Sequence, residues 1–338
     1  MIKESIATLV EGKSLTFEQA SGAMEEIMGG KATPAQIGAF LSALSAKGES
    51  ADEIAGLAAV MRAKATPVKL PGPVIDIVGT GGDGSGSFNN STAACLVAAG
   101  AGLKVAKHGN RAATSQCGAA DILEASGIKI ALKPESVAEC VAKAGIGFMF
   151  AQVYHPAMKY AAPVRKELGI RTVFNILGPL TNPAKAEHML LGVANEQLGQ
   201  KIACVLHKLG VKHALVVYGR DGFDEISISD SSLVWEVTPE KVSPPYEISP
   251  ESFGFNKAGK SAVKGGTPGE NAAALKGILN GARGPLRDAI VINAAAALVA
   301  ADVTRDLKKA AQLAAGAIDS GRAKETLNKL VELSQRLE

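Results

Sequence analysis

Beyond residue 73 the chain alternates short apolar runs with helical stretches, and that rhythm restricts the fold more than any other feature. The runs are VIDIVGT, LKVAKHG, IKIAL, IGFMFA, HMLLGVA and HALVVYG; between them stand ACLVAAGA, DILEASG, PESVAECVAKAG and QLGQKIACVLHKLG. Strand and helix alternating at this spacing build βαβ units, so the expected fold class is α/β, with a mainly parallel central sheet flanked by helices. Residues 155–183 break the rhythm with a helix, PAMKYAAPVRKELG, and a turn punctuated by Pro and Gly, ILGPLTNPA. From Gly269 the pattern is helical again, and GPLRDAIVINAAAALVAA reads as a buried helix.

The first seventy residues carry helical signals only. Three helix starts have a capping box, in which a hydroxyl caps the N3 amide and an N3 Glu or Gln bonds back. They are Thr16 with Gln19, Thr33 with Gln36, and Ser50 with Glu53; Pro34 suits the first helical position. KATPVKLPGP (64–73) is a linker. The length of 338 residues fits two domains. The expected division is a small helical domain, 1–70, onto which the helices from about 155–183 pack, and an α/β domain formed by 71–154 and 184–338.

Composition excludes several classes of function. With 47% hydrophobic and 20% charged residues there is ample material for a core, and a net charge of +3 is too small to imply nucleic acid or membrane as a partner. The longest apolar run, AIVINAAAALVAA (289–301), is shorter than the ~18–20 residues of a membrane span. MIKESIATLVEGKS has no apolar stretch of signal-peptide length, and Cys95, Cys117, Cys140 and Cys204 form no C-x-x-C pair. A soluble, cytoplasmic protein with reduced thiols is expected.

Chemistry concentrates after the first strand. DIVGTGGDGSGSFNNST places five glycines in the eight residues Gly79 to Gly86. Gly79, Gly81 and Gly84 fit G-x-G-x-x-G, but the dinucleotide fingerprint needs an acidic residue about 20 positions on. None occurs between Gly84 and Ala120, and the next strand ends in Lys107 and His108. No G-K-[ST] closes the loop either. Bare amides ahead of a helix N-terminus make an anion site, and Lys104, Lys107 and Arg111 leave the acid-free window at +3. Asn89, Ser91 and Thr92 add polar groups where the helix begins, though chain reversal and helix capping alone also explain such a loop. KHGNR (107–111) stands at a strand end, where α/β sheets bind ligands. Asp221, Asp224 and Glu225 follow another strand; such carboxylates are a surface turn, or Mg²⁺ ligands if they face a phosphate cradle. Arg165 is either a solvated helix charge or a fork for a carboxylate.

Together, GTGGD (79–83), F-N-x-S-T (88–92), KHGNR (107–111), HPAMK (155–159), VRKELGIRTVFNILGPLTNP (164–183) and DGFDEIS (221–227) resemble the anthranilate phosphoribosyltransferase family over nearly the whole chain. The resemblance implies a fold of the nucleoside phosphorylase/phosphoribosyltransferase type, a homodimer through the helical parts, and a site in the interdomain cleft. There the anthranilate amine displaces pyrophosphate from phosphoribosyl pyrophosphate with Mg²⁺ bound, a step of tryptophan biosynthesis. It assigns Gly79, Gly81, Gly82, Asp83, Ser87, Asn89, Ser91, Thr92, Lys107 and Ala119 to phosphoribosyl pyrophosphate, and Ser91, Asp224 and Glu225 to Mg²⁺. Gly79, His108, Asn110, His155, Arg165, Gly178 and Pro179 fall to anthranilate, with His108 the candidate for proton handling. Two positions depart from the family pattern: Asn90 replaces an aliphatic residue, and Ala119 replaces a serine, leaving backbone amides as donors there. Neither is expected to touch the metal carboxylates or Arg165. A pyrimidine nucleoside phosphorylase shares this architecture but needs no paired metal carboxylates. A nucleic-acid-binding relative would show basic grooves and an eroded phosphate loop.

Overall fold

The computed structural model describes residues 1–112 and 115–337. Helices Ile2–Val10, Phe17–Met28, Pro34–Lys47 and Ala51–Lys64 open the chain, and the three capping boxes form as their spacing predicts. Each satisfies amides that a helix start leaves without partners. Glu53 goes further. Its fully buried carboxylate accepts from the Leu15 amide at 2.8 Å and pairs with Lys47 Nζ at 2.9 Å, tying two helices and a loop at one point.

Seven strands follow: β1 (Ile75–Gly79), β2 (Val105–Gly109), β3 (Ile146–Phe150), β4 (His188–Gly192), β5 (His213–Gly219), β6 (Ser232–Val237) and β7 (Tyr246–Ile248). They form one sheet in the order β3-β2-β1-β4-β5-β6-β7, parallel from β3 through β5 and antiparallel at β6 and β7. The order turns at β1, with later strands added first on one side and then, from β4, on the other. That switch point opens a crevice beyond the carboxyl ends of β1 and β4.

Both sheet faces are apolar. Leu190, Leu215, Val217 and Val234 face one core with helices Asn90–Gly100 and Pro285–Ala300; Met189, Leu191, Ala214, Val216 and Trp235 face the other. The second core also holds Phe40, Leu57, Val164, Phe174 and Leu177, so the N-terminal helices, the 161–180 segment and the sheet share one apolar cluster. Every residue from Ala289 to Ala300 is buried, as the apolar run predicts. Among the described residues no helix is long and apolar enough to cross a membrane.

Three expectations are corrected. IKIAL is not a strand: Ile128, Ile130 and Leu132 are buried, but the Lys129 amide donates to Ser334 Oγ at 3.0 Å instead of a neighbouring strand. PAMKYAAPVRKELG is not one helix but a 3₁₀ turn, Pro156–Tyr160, and a helix, Ala162–Leu168. Pro163 has no N–H to continue the first segment and fits the opening turn of the second. ILGPLTNPA, read as a turn, contains the end of a short helix, Phe174–Leu177, and a 3₁₀ turn, Gly178–Leu180.

Candidate active site

The crevice is floored by two glycines. Gly79 and Gly192 are register partners at the ends of β1 and β4, and a Cβ on either would collide with Asp224. Bare backbone is therefore required for the 221–227 loop to lie against the sheet. The Gly81 amide then donates to Asp224 Oδ2 at 2.6 Å, joining the glycine loop to the acidic loop. Gly81 and Gly82 take left-handed φ values of +67° and +73°, which a side chain would strain. The far side of the glycine loop is strapped down: Ser87 bridges Lys264, and the Gly265 amide donates to Gly86 O at 2.9 Å.

The acidic loop divides into two roles. Asp221 accepts from Ser227 Oγ at 2.6 Å and from Ser229 Oγ, so it shapes the loop. Asp224 and Glu225 face the glycine loop, held by Asn293 of the buried helix, which donates to Ile226 O and accepts from Ile226 N, both at 3.0 Å. Burial and then the nearby Asp83 push the Asp224 carboxyl up to about 7; burial and then Asp224 raise Glu225 well above its ordinary value. Among the described residues no cation pairs with either, and Asp83 Oδ2 is buried without a partner. Three crowded carboxyl groups with no counter-charge suit a hard divalent cation, which takes oxygen ligands. The residues present fit Mg²⁺. Ser91, half-buried in the first turn of the helix Asn90–Gly100, lies on the helix that abuts this cluster, and Thr92 beside it is buried.

The +3 window is not a free positive patch. Arg111 pairs with Asp121 and Glu124, at 2.9 and 2.8 Å, just past the window's end. Lys104 Nζ donates to Val141 O and Ala142 O, where a helix ends. Lys107 is buried and donates to Ile77 O at 2.8 Å, next to the buried Asp76, whose carboxyl also accepts from Asn182 Nδ2 at 2.7 Å. Asn89 is equally engaged: its Nδ2 donates to Cys117 O and its Oδ1 accepts from Asn271 Nδ2, both at 2.9 Å. The cation facing the loop is Arg171, whose Nη1 donates to Gly82 O at 2.9 Å. Sequence reasoning missed Arg171, Asn182, Asn271 and Asn293; the first two stand inside the quoted motif 164–183, where proline and glycine drew attention instead.

Beyond β2, His108 and His155 form a buried pair with Nε2 atoms 3.2 Å apart. Burial pushes His108 down to about 3 and His155 to about 4, so both are neutral at pH 7 and one ring donates to the other. A backbone hydrogen bond links His108 to Gly178, which brings the turn before Pro179 to the same wall. Asn110 is exposed at the strand end and accepts from the Arg111 amide. Arg165 stacks its guanidinium 4.9 Å from the Phe174 ring centre, half-buried, with no acidic partner among the described residues.

The sequence pattern described as "Glycosyl transferase family, a/b domain" matches residues 71–324, and "Glycosyl transferase family, helical bundle domain" matches residues 3–65. A protein of Dehalococcoides mccartyi named anthranilate phosphoribosyltransferase is 57% identical over 338 residues, covering 100% of this chain and 99% of its own. One of the same name from Chloroflexus aggregans is 54% identical, covering 99% and 98%. The chain belongs to the anthranilate phosphoribosyltransferase family. The family member of Thermus thermophilus superposes with a TM-score of 0.93 at 44% identity, covering 98% of this chain and 99% of that one. The enzyme of Saccharomyces cerevisiae in complex with PRPP and Mg superposes at 0.91 with 30% identity, covering 99% and 98%.

The two positions expected to depart from the family pattern both lie next to the site residues. Asn90 is buried beside the Glu225 carboxyl and favours its ionised form, although neither amide atom reaches standard hydrogen-bond geometry. The expectation that Asn90 leaves the metal carboxylates untouched is thus corrected: Asn90 opens the helix that abuts them. Ala119 opens the helix Ala119–Ala125, and two of the amides around it are already used. Gly118 N donates to Asp121 Oδ2 at 2.9 Å and Ala120 N to Asn110 O at 3.1 Å.

Proposed function

We propose that the chain transfers the phosphoribosyl group of phosphoribosyl pyrophosphate to the amine of anthranilate, releasing pyrophosphate, as a cytoplasmic homodimer in tryptophan biosynthesis. The observation that carries this reading is the meeting of Asp83, Asp224 and Glu225 at the glycine loop, with no cation paired to Asp224 or Glu225 among the described residues. A phosphorylase using free phosphate has no need of that cluster, and Lys104, Lys107 and Arg111, the cations of the acid-free window, are each held by protein groups and form no free basic patch.

The roles follow from placement. The loop from Gly79 to Ser87, with the open N-terminus of helix Asn90–Gly100, binds the polyphosphate through backbone amides and the helix dipole. Asp83, Asp224, Glu225 and Ser91 hold Mg²⁺, which when bound neutralises the departing pyrophosphate. Arg165 takes the carboxylate of the aromatic acid in its fork, and His108, His155, Asn110 and the Gly178–Pro179 turn line its approach. As the nitrogen bonds to the anomeric carbon, the bond to the pyrophosphate oxygen breaks, and the amine then releases its proton. That proton leaves a cationic, acidic nitrogen and passes to water, so no strong base is needed; His108, whose Nε2 is bonded to His155 Nε2, lines the approach. Alignment and charge neutralisation supply the acceleration, without a nucleophilic side chain. The residues before about 70, together with 155–183, form one wall of the cleft, and the α/β domain forms the other. Incubation with anthranilate, phosphoribosyl pyrophosphate and Mg²⁺ should consume anthranilate and release pyrophosphate in equal amounts. Phosphate-dependent cleavage of a pyrimidine nucleoside instead would replace this reading.

A further inference from the structure

At the opposite end of the parallel strands from the crevice, two histidines begin adjacent strands. His188 and His213 are the first residues of β4 and β5 and are register partners. β4 alone separates them from the catalytic crevice by about 13 Å, at ~3.3 Å per residue. Asp302 completes the group from the turn after the buried helix Pro285–Ala300, in a left-handed conformation (φ 59°) that few residues other than Gly, Asn and Asp adopt. One donor atom from each of His188, His213 and Asp302 lies within 4.8 Å of the others.

We propose that His188, His213 and Asp302 form a second metal site, for a zinc-class transition ion. Two imidazoles and a carboxylate are a nitrogen–oxygen donor set that Zn²⁺ accepts readily, with water in the remaining position, and that differs from the all-oxygen set at the crevice. Asp302 is exposed, so the site opens to solvent. The surroundings match those of a metal-bound histidine. His213 Nδ1 points at Asp302 Oδ1 (2.8 Å), and its Nε2 is held by Glu236 Oε1 at 2.9 Å. A carboxylate on the far nitrogen fixes the ring and strengthens the near one as a ligand. His188 Nδ1 is 3.9 Å from Asp302 Oδ2 and bonds the Ala300 carbonyl at 2.8 Å, at a helix C-terminus whose dipole favours a cation. Ligation through Nδ1 exchanges that carbonyl bond for the ion.

The test is calorimetric titration of the full-length protein with ZnCl₂ in excess Mg²⁺, which occupies the crevice carboxylates. Wild type should bind one Zn²⁺ per chain with a rise in melting temperature. His188→Gln and Asp302→Asn should each weaken this event more than tenfold and abolish the rise. Asn adopts the left-handed backbone at 302, so that variant keeps the fold. Glu236→Gln, which touches no ion, should weaken binding about tenfold. A wild type that binds no Zn²⁺ under these conditions overturns the proposal and leaves His213 as an imidazole bracketed by two carboxylates. Undiminished affinity in His188→Gln and Asp302→Asn overturns it equally, by placing the zinc elsewhere.

Discussion

Arg165 and Asn90 are single side chains whose surroundings predict separate effects on the two substrates and on the metal. The Arg165 guanidinium is half-buried on Phe174, and burial lowers its pKa with no carboxylate among the described residues to compensate. A half-buried planar fork with no acidic partner among the described residues is ready for a carboxylate ligand, and such a charged contact contributes about 1.5–3 kcal/mol. Arg165→Ala should therefore raise the apparent KM for anthranilate well over tenfold and leave that for phosphoribosyl pyrophosphate nearly unchanged. Steady-state kinetics with each substrate varied in turn decides it; equal losses for both would make Arg165 a structural residue. Asn90 works on the metal side. Its buried amide lacks a well-formed hydrogen bond yet favours ionised Glu225. Asn90→Val, close in volume, should raise the melting temperature by removing an unsatisfied polar group. It should also increase severalfold the Mg²⁺ concentration for half-maximal turnover. A rise in stability without a shift in the Mg²⁺ titration would mean that Asn90 does not act on Glu225.

Between elements, the decisive contact is a strand end against a loop. Gly192 closes β4 directly beneath the Asp224 backbone, so Gly192→Ala has to displace the loop carrying both acidic residues. The substitution should cut turnover by at least tenfold and raise the Mg²⁺ requirement. Mg²⁺ titration of activity measures this, and wild-type behaviour would show that the loop shifts without cost. Gly192 illustrates what the sequence could convey. The five parallel strands, the buried helix and the three capping boxes are local patterns, and each is written within a dozen or so adjacent residues. IKIAL misled because alternating burial does not reveal whether a strand partner exists. SLVWEV and YEI, to which the strand–helix rhythm assigns nothing, form the antiparallel β6 and β7, whose pairing is set by tertiary packing. At the site, the glycine loop and the Asp224–Glu225 pair stand out as short motifs. The neutralisation of Arg111 by Asp121 and Glu124 does not, because a count that ended at Ala120 excluded both acids. Asn271 and Asn293 act across separations of 182 and 67 residues, which no local pattern encodes.

Across the whole molecule, two buried ionisable groups make stability depend on conditions. His108 and His155 are held neutral in the fold, with pKa values pushed down to about 3 and 4 by burial. The unfolded chain takes up these protons near pH 6.5 while the folded one does not, so their contribution is complete above that pH and is lost as the pH falls towards 4. Melting temperature should thus fall on acidification below pH 6.5, and His155→Gln should flatten that slope; an unchanged slope would assign it to other groups. The carboxylates of the crevice, as the proposed Mg²⁺ ligands, should respond to metal instead. Asp224 and Glu225 are crowded by each other and by Asp83, with no cation among the described residues to offset them. Replacing both with Asn and Gln keeps their size and removes the repulsion, so the double variant should melt no lower than wild type without Mg²⁺. Mg²⁺ should stabilise wild type through preferential binding to the folded chain and have little effect on the variant. Turnover of the variant should collapse, with the remaining activity needing far more Mg²⁺, while anthranilate binding, proposed to rest on Arg165, should persist. Melting curves and a Mg²⁺ titration of turnover, run on both proteins, measure all of this. If both pairs of curves overlay, Asp224 and Glu225 are an ordinary loop, and the metal on which pyrophosphate release depends is held by other residues.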